Sequence, residues 1–199
     1  MMRRKICYSM PSPPFYKSVR LTDAAACIIA ALSLSLVLLS PVLCTSGEFN
    51  EYQIKAGFIF NLVQFTDWPD QSLAKTAEIR VCTLGTDPFD AAFQALNGKV
   101  AKGKPIAITH LEQIEDIEGC HVLFIGASKR KQISRILKYV KNAPILTVSE
   151  VENFPESGGM VNLLLERNKT VLEINNAAVH KNKLKISSQV LKLARLVTE

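Results

Sequence analysis

Residue types that catalysis uses are present in this chain, but their spacing does not gather them. Ser128-Lys129-Arg130-Lys131 fits S-x-x-K, in which a lysine assists attack by the serine hydroxyl. Neither SDN nor KTG, the companion motifs of that chemistry, accompanies it. A serine capping a basic helix accounts for the same letters. Glu112, Glu115, Asp116 and Glu118 form an acidic cluster. Paired carboxylates do acid/base work when burial separates their pKa values, whereas four in a polar loop read as a solvated surface. Cys120-His121 offers a thiolate beside an imidazole as metal ligands, but there is no CxxC or HxxxH, and His110 and His180 are scattered. GxGxxG and GxxxxGK[ST] are absent. These observations point to no catalytic residue, no metal and no cofactor.

The charge balance must be divided before it is read. The net charge is +6, but residues 1–47 hold five Lys/Arg and one Asp, which leaves +2 for residues 48–199. A domain this close to neutrality gives no reason to expect nucleic acid as a partner. The basic residues Arg3, Arg4, Lys5, Lys17 and Arg20 precede an uncharged run from Ala24 to Cys44, and Cys44-Thr45-Ser46-Gly47 supplies small residues after it. This is the layout of a secretory signal, with residues 1–46 removed and 47–199 exported. The apolar run is also long enough to span a bilayer as an uncleaved anchor. Either form places the domain outside the cytoplasm, because the basic residues lie before the run and Glu48 and Glu51 after it. Translation from Met10 would leave a signal of more usual length.

Of five cysteines, Cys7, Cys27 and Cys44 fall in or beside the leader, so the domain keeps Cys82 and Cys120. In an oxidising compartment such a pair reads first as a disulfide.

The elements that must position these residues follow from periodicity. Glu48–Phe65 reads as a helix with one narrow polar stripe, Gln53, Gly57, Asn61 and Gln64, and apolar residues on the remaining sides. Ile79–Leu84, Ile106–Thr109, Cys120–Gly126 and Ile145–Val148 read as strands, the third being the most apolar and central. Short helices are predicted over Phe89–Leu96, capped by Thr86 or Asp87 with Pro88 in first position, and over Ser128–Lys141. The stretch 154–176 reads as an antiparallel hairpin, Met160–Leu165 and Thr170–Ile174. Its turn is Arg167-Asn168-Lys169, with Asn168 at positive φ. Asn175–His180 reads as a cap and short turn, and Ser187 or Ser188 starts a last amphipathic helix. The order predicts a single three-layer α/β domain: a mostly parallel mixed sheet, helices on both faces and an antiparallel hairpin at the edge.

Five runs in this order, YQIKAGFIFNLVQFTDWP, VCTLGTDPF, GCHVLFIG, ILTVSE with FPESGGMVNLLLERNKTVLEIN, and LKISSQVLKLAR, resemble the YfiR family of periplasmic proteins over residues 50–197. The resemblance implies a non-enzymatic regulator. It would bind the periplasmic sensor part of an inner-membrane diguanylate cyclase, hold it inactive, and be drawn off by an OmpA-like outer-membrane lipoprotein. It also implies a homodimer, and it places Cys82 and Cys120 where the family has a disulfide. A second family pair near Thr147–Pro155 has no counterpart here.

A partner surface is expected at the hairpin. Phe154 beside Pro155, Glu166 at the turn and Leu172 on the returning strand make an apolar and charged trio of the kind found in interface hot spots. The alternative is a periplasmic small-molecule receptor, with a pocket near the hairpin and His180.

Overall fold

The run Cys120–Gly126 lies inside the sheet, as its apolar character requires. Its strand β5, Val122–Ile125, is buried along its whole length and flanked on both sides by parallel neighbours. The computed structural model describes residues 48–85, 90–167 and 169–198. The expected leader and its cleavage region, the Thr86-Asp87-Pro88 cap and the Asn168 turn position lie outside them. Among the described residues no helix is long and apolar enough to cross a membrane.

Strands β2 (Ile79–Leu84), β4 (Lys104–Leu111), β5, β6 (Leu146–Ser149) and β7 (Val161–Glu166) form a parallel set in the order β7-β6-β5-β2-β4. The antiparallel strand β8, Lys169–Ile174, completes the hairpin with β7. This is the expected three-layer α/β arrangement, with two additions at the sheet margins. Val100–Ala101, β3, pairs antiparallel with β4 through a tight turn, where Lys102 (φ 49°) and Gly103 (φ 76°) both take the left-handed conformation. Arg195–Leu196 forms a two-residue strand parallel to β8, so the hairpin is not the outermost element. The last amphipathic helix is correspondingly short: Ser187 caps Ser188–Leu191 by accepting a bond from the Gln189 amide, and the chain then turns back into the sheet. A separate two-stranded ladder joins Thr66–Asp67 to Lys185–Ile186.

Alternation along the strands builds two apolar layers. On one face Val81, Phe124, Val148, Val161 and Leu163 pack with Ile59, Leu62 and Val63 of the helix Glu48–Phe65. On the other, Cys82, Leu84, Leu123 and Ile125 pack with Ile133 and Ile136 of the helix Ile133–Tyr139 and with Ile114, Ile117 and Phe154. Each such side chain contributes about 1.5–3 kcal/mol relative to exposure. The predicted polar stripe of the first helix, Gln53, Gly57, Asn61 and Gln64, is exposed throughout.

The segment Ser128–Lys141 departs from expectation. It begins as a 3-10 turn over Ala127–Gln132, with Gly126 rather than Ser128 at its cap position, and becomes α-helical at Ile133. The acidic loop likewise contains a 3-10 turn, Ile114–Ile117, which buries its two isoleucines and leaves Glu115 and Asp116 in solvent.

Candidate functional site

The hairpin turn is built to hold its end clear of the core. Glu166 and Lys169 are cross-strand partners, so the connection has two residues, and Arg167 takes the left-handed conformation at φ 48°. The expected three-residue turn is therefore one residue too long. Burial falls off along β7 from Val161 to Leu165, which is 46% exposed.

Glu166 is exposed at this tip and is gripped by Arg195 of the edge strand. Arg195 Nη1 donates to Glu166 Oε1 at 2.8 Å, and Nη2 to Oε2 at 3.0 Å. This fork geometry is the strongest form of arginine–carboxylate contact. Nη1 also donates to Glu173 Oε1 at 2.9 Å. Glu173 is buried and receives Asn162 Nδ2 at 3.3 Å, and that same Nδ2 donates to the Val151 carbonyl at 3.0 Å. One guanidinium thus faces two carboxylates. Hydrogen bonding from Arg195 holds the Glu166 carboxyl below its usual pKa, and the two carboxylates raise that of Arg195. The exposed Leu165 precedes Glu166 at the tip, whereas the exposed Leu196 lies beside Ile174 at the base of the hairpin. The sequence pattern hides Arg195, because its spacing from Val190, Leu191 and Lys192 also fits the outer face of a longer helix, whereas the helix ends at Leu191.

The other two members of the expected trio are not surface residues. Phe154 is fully buried, because Gly159 gives its ring room: a Cβ on Gly159 would stand 2.3 Å from Phe154 Cε1. Of the two glycines, Gly158 takes the left-handed conformation at φ 90° and Gly159 leaves space for the aromatic ring. Leu172 is also buried, opposite Leu163 in the register. Phe154 belongs to one apolar layer and Leu172 to the other, so they do not form one patch with Glu166.

His180 is exposed on the helix Asn176–Lys181, its Nε2 3.2 Å from Asn176 Nδ2. Asn175 caps that helix, its Oδ1 accepting the Ala178 amide at 2.9 Å. A nearby cavity of about 380 Å³ is lined by Lys181 and Asn182 but not by His180.

Cys82 and Cys120 are bonded, with Cα atoms 5.9 Å apart. Both are buried, Cys82 on β2 and Cys120 just ahead of β5, in the layer that holds Phe154. A further buried charged residue is Lys55, whose Nζ lies 2.7 Å from Glu51 and 3.0 Å from Glu150. Burial pulls its pKa down, but the two carboxylates outweigh that and hold it above the ordinary value. It ties the first helix to the residue that follows β6.

A mostly parallel α/β domain with a disulfide and a charged hairpin tip defines the class. Solved structures of the same fold include a conserved domain protein from Vibrio cholerae O1 biovar El Tor (TM-score 0.50, 11% identity) and an ABC domain from Streptococcus pneumonia in complex with L-Trp (TM-score 0.51, 9% identity). Each alignment covers 74% of this chain and 60% of the other, and at these identities the likeness concerns the fold alone. A comparison with curated proteins finds no match. The YfiR/HmsC-like family matches residues 52–195, and the chain belongs to it.

Proposed function

We propose that this protein is a non-enzymatic periplasmic regulator that binds the periplasmic sensor region of an inner-membrane diguanylate cyclase and represses cyclic di-GMP synthesis. Membership of the YfiR/HmsC-like family across residues 52–195 is the observation that carries this reading. An OmpA-like outer-membrane lipoprotein is the proposed competitor that relieves repression, a homodimer the proposed resting form, and residues 1–46 the proposed export signal. The geometry supports a contact at the hairpin tip. At the tip itself Glu166 stands next to the exposed Leu165, a carboxylate beside apolar area, as in small hot spots. Phe154 and Leu172 serve from beneath, by fixing the hairpin on the two core layers. The test is retention of the purified protein on an immobilised cyclase sensor region. Wild type is retained and Glu166→Lys is not; no retention of wild type on any sensor region of the source cell contradicts the reading.

The second reading, a small-molecule receptor, is favoured by one observation: a cleft of about 510 Å³ beside His121. Its volume falls in the range of ordinary ligand sites. His180, the residue first proposed for such a role, stands outside it.

A further inference from the structure

The amino-terminal ends of the parallel strands open onto a cleft that the regulatory reading leaves unused. Its apolar wall is Val140, Ala143, Pro144 and Ile145, which follow the helix Ile133–Tyr139 and lead into β6. His121 also lines the cleft, its carbonyl accepting the Leu146 amide at 2.9 Å. A second recess of about 300 Å³ shares Thr76, Gly119 and His121 with the first and adds Arg80 and Glu78, so the two adjoin.

The state of His121 is fixed by its neighbours. Its Nδ1 accepts the Arg80 backbone N–H at 3.0 Å, which leaves the ring proton on Nε2. That Nε2–H has only a long contact, 3.4 Å, to the Ser72 carbonyl oxygen in the cleft wall. At 6% exposure the ring is buried, and burial pushes its pKa down, so it is a neutral donor near pH 7. A buried donor with a long bond gains from a better acceptor. Arg80, at the adjoining recess, is half-exposed, and its partner Glu78 is 3.6 Å away, too far for a tight pair. The Nε2–H faces Ser72 in the wall of the larger recess and Arg80 lines the smaller one, with Thr76, Gly119 and His121 lining both. Glu78 and Glu118 on the rim oppose a ligand with more than one negative charge.

We propose that this cleft binds a small aromatic monocarboxylic acid, its ring on the Val140–Ile145 wall and its carboxylate between the His121 Nε2–H and the Arg80 guanidinium. The apolar wall selects the ring, and the two donors distinguish an acid from its neutral amide. The site lies on a different part of the fold from the hairpin tip, so neither binding reading depends on the other.

The test is calorimetric titration of the purified protein with 3-phenylpropionate and with 3-phenylpropionamide. The acid binds roughly tenfold or more tightly than the amide. Arg80→Gln brings the acid to the level of the amide without changing the melting temperature, since Arg80 is a partly exposed residue. Ala143→Phe, which fills the wall, removes binding of both, while His180→Ala alters neither. If Ala143→Phe fails to fold, Arg80→Gln decides alone. Equal affinity for acid and amide, no heat from the acid at millimolar concentration, an Arg80→Gln protein that binds the acid like wild type, or loss of binding in His180→Ala overturns the proposal.

Discussion

Arg195 clasps Glu166 through two parallel N–H···O bonds of 2.8 and 3.0 Å, and so ties the last strand of the sheet to the tip of its hairpin. Because the pair is solvent-exposed, it orients the tip more than it stabilises the domain. Glu166→Lys therefore leaves the melting temperature near that of wild type and weakens partner binding by about tenfold, through like-charge contact with Arg195 and loss of the carboxylate. Circular dichroism and surface plasmon resonance check the two halves. The Glu166 pKa is lowered in the folded state, so the contribution of the pair is present above the ordinary carboxylate value of 4.5 and is lost as pH falls through the lowered one. Carboxyl NMR shifts of Glu166 follow that transition.

Phe154→Ala unfolds the protein rather than disarming it. The ring is fully buried against Gly159, and deleting a buried aromatic costs about 3–5 kcal/mol. Chemical denaturation measures the loss. A Phe154→Ala protein of wild-type stability would contradict the packing described here.

The Cys82–Cys120 bond closes a loop of 38 residues, which on the chain-entropy account is worth about 4 kcal/mol. The double variant Cys82→Ala/Cys120→Ala is expected to lose unfolding free energy of about that size in chemical denaturation, and mass spectrometry of non-reduced native protein finds no free thiol at either residue.

Lys55→Met leaves Glu51 and Glu150 facing each other without their shared cation, and destabilises the domain by about 3 kcal/mol. The Lys55 pKa is raised, so its contribution is complete below the ordinary value of 10.5 and disappears as pH rises through the folded value. His121 behaves oppositely. Its pKa is lowered by burial, so stability declines as pH falls from 6.5 toward the folded value. Thermal melts of wild type and Lys55→Met between pH 5 and 8 differ by a constant offset; a difference that vanishes across that range would contradict the Lys55 pairing.

Periodicity made the parallel sheet legible: Ile79–Leu84 and Glu48–Phe65 match the structure at both ends because strand and helix patterns there are unbroken. The short margins were not legible. Val100–Ala101 and Arg195–Leu196 are two residues long, too short for any period, and owe their conformation to the strand beside them. Burial of Phe154 was hidden for a different reason. A Phe-Pro followed by two glycines has loop composition, and only the approach of the ring to Gly159 shows that the glycine makes room for a core side chain. Glu166 was correctly placed at the turn, but its partner is twenty-nine residues away in sequence, a pairing that no local pattern encodes.

The central claim is repression of cyclic di-GMP synthesis, and intracellular cyclic di-GMP measured by mass spectrometry tests it most directly. Cells lacking the gene should hold a raised level. Wild-type protein supplied in trans should restore the original level, and Glu166→Lys, exported at equal abundance, should not. A level unchanged by deletion of the gene would contradict the account.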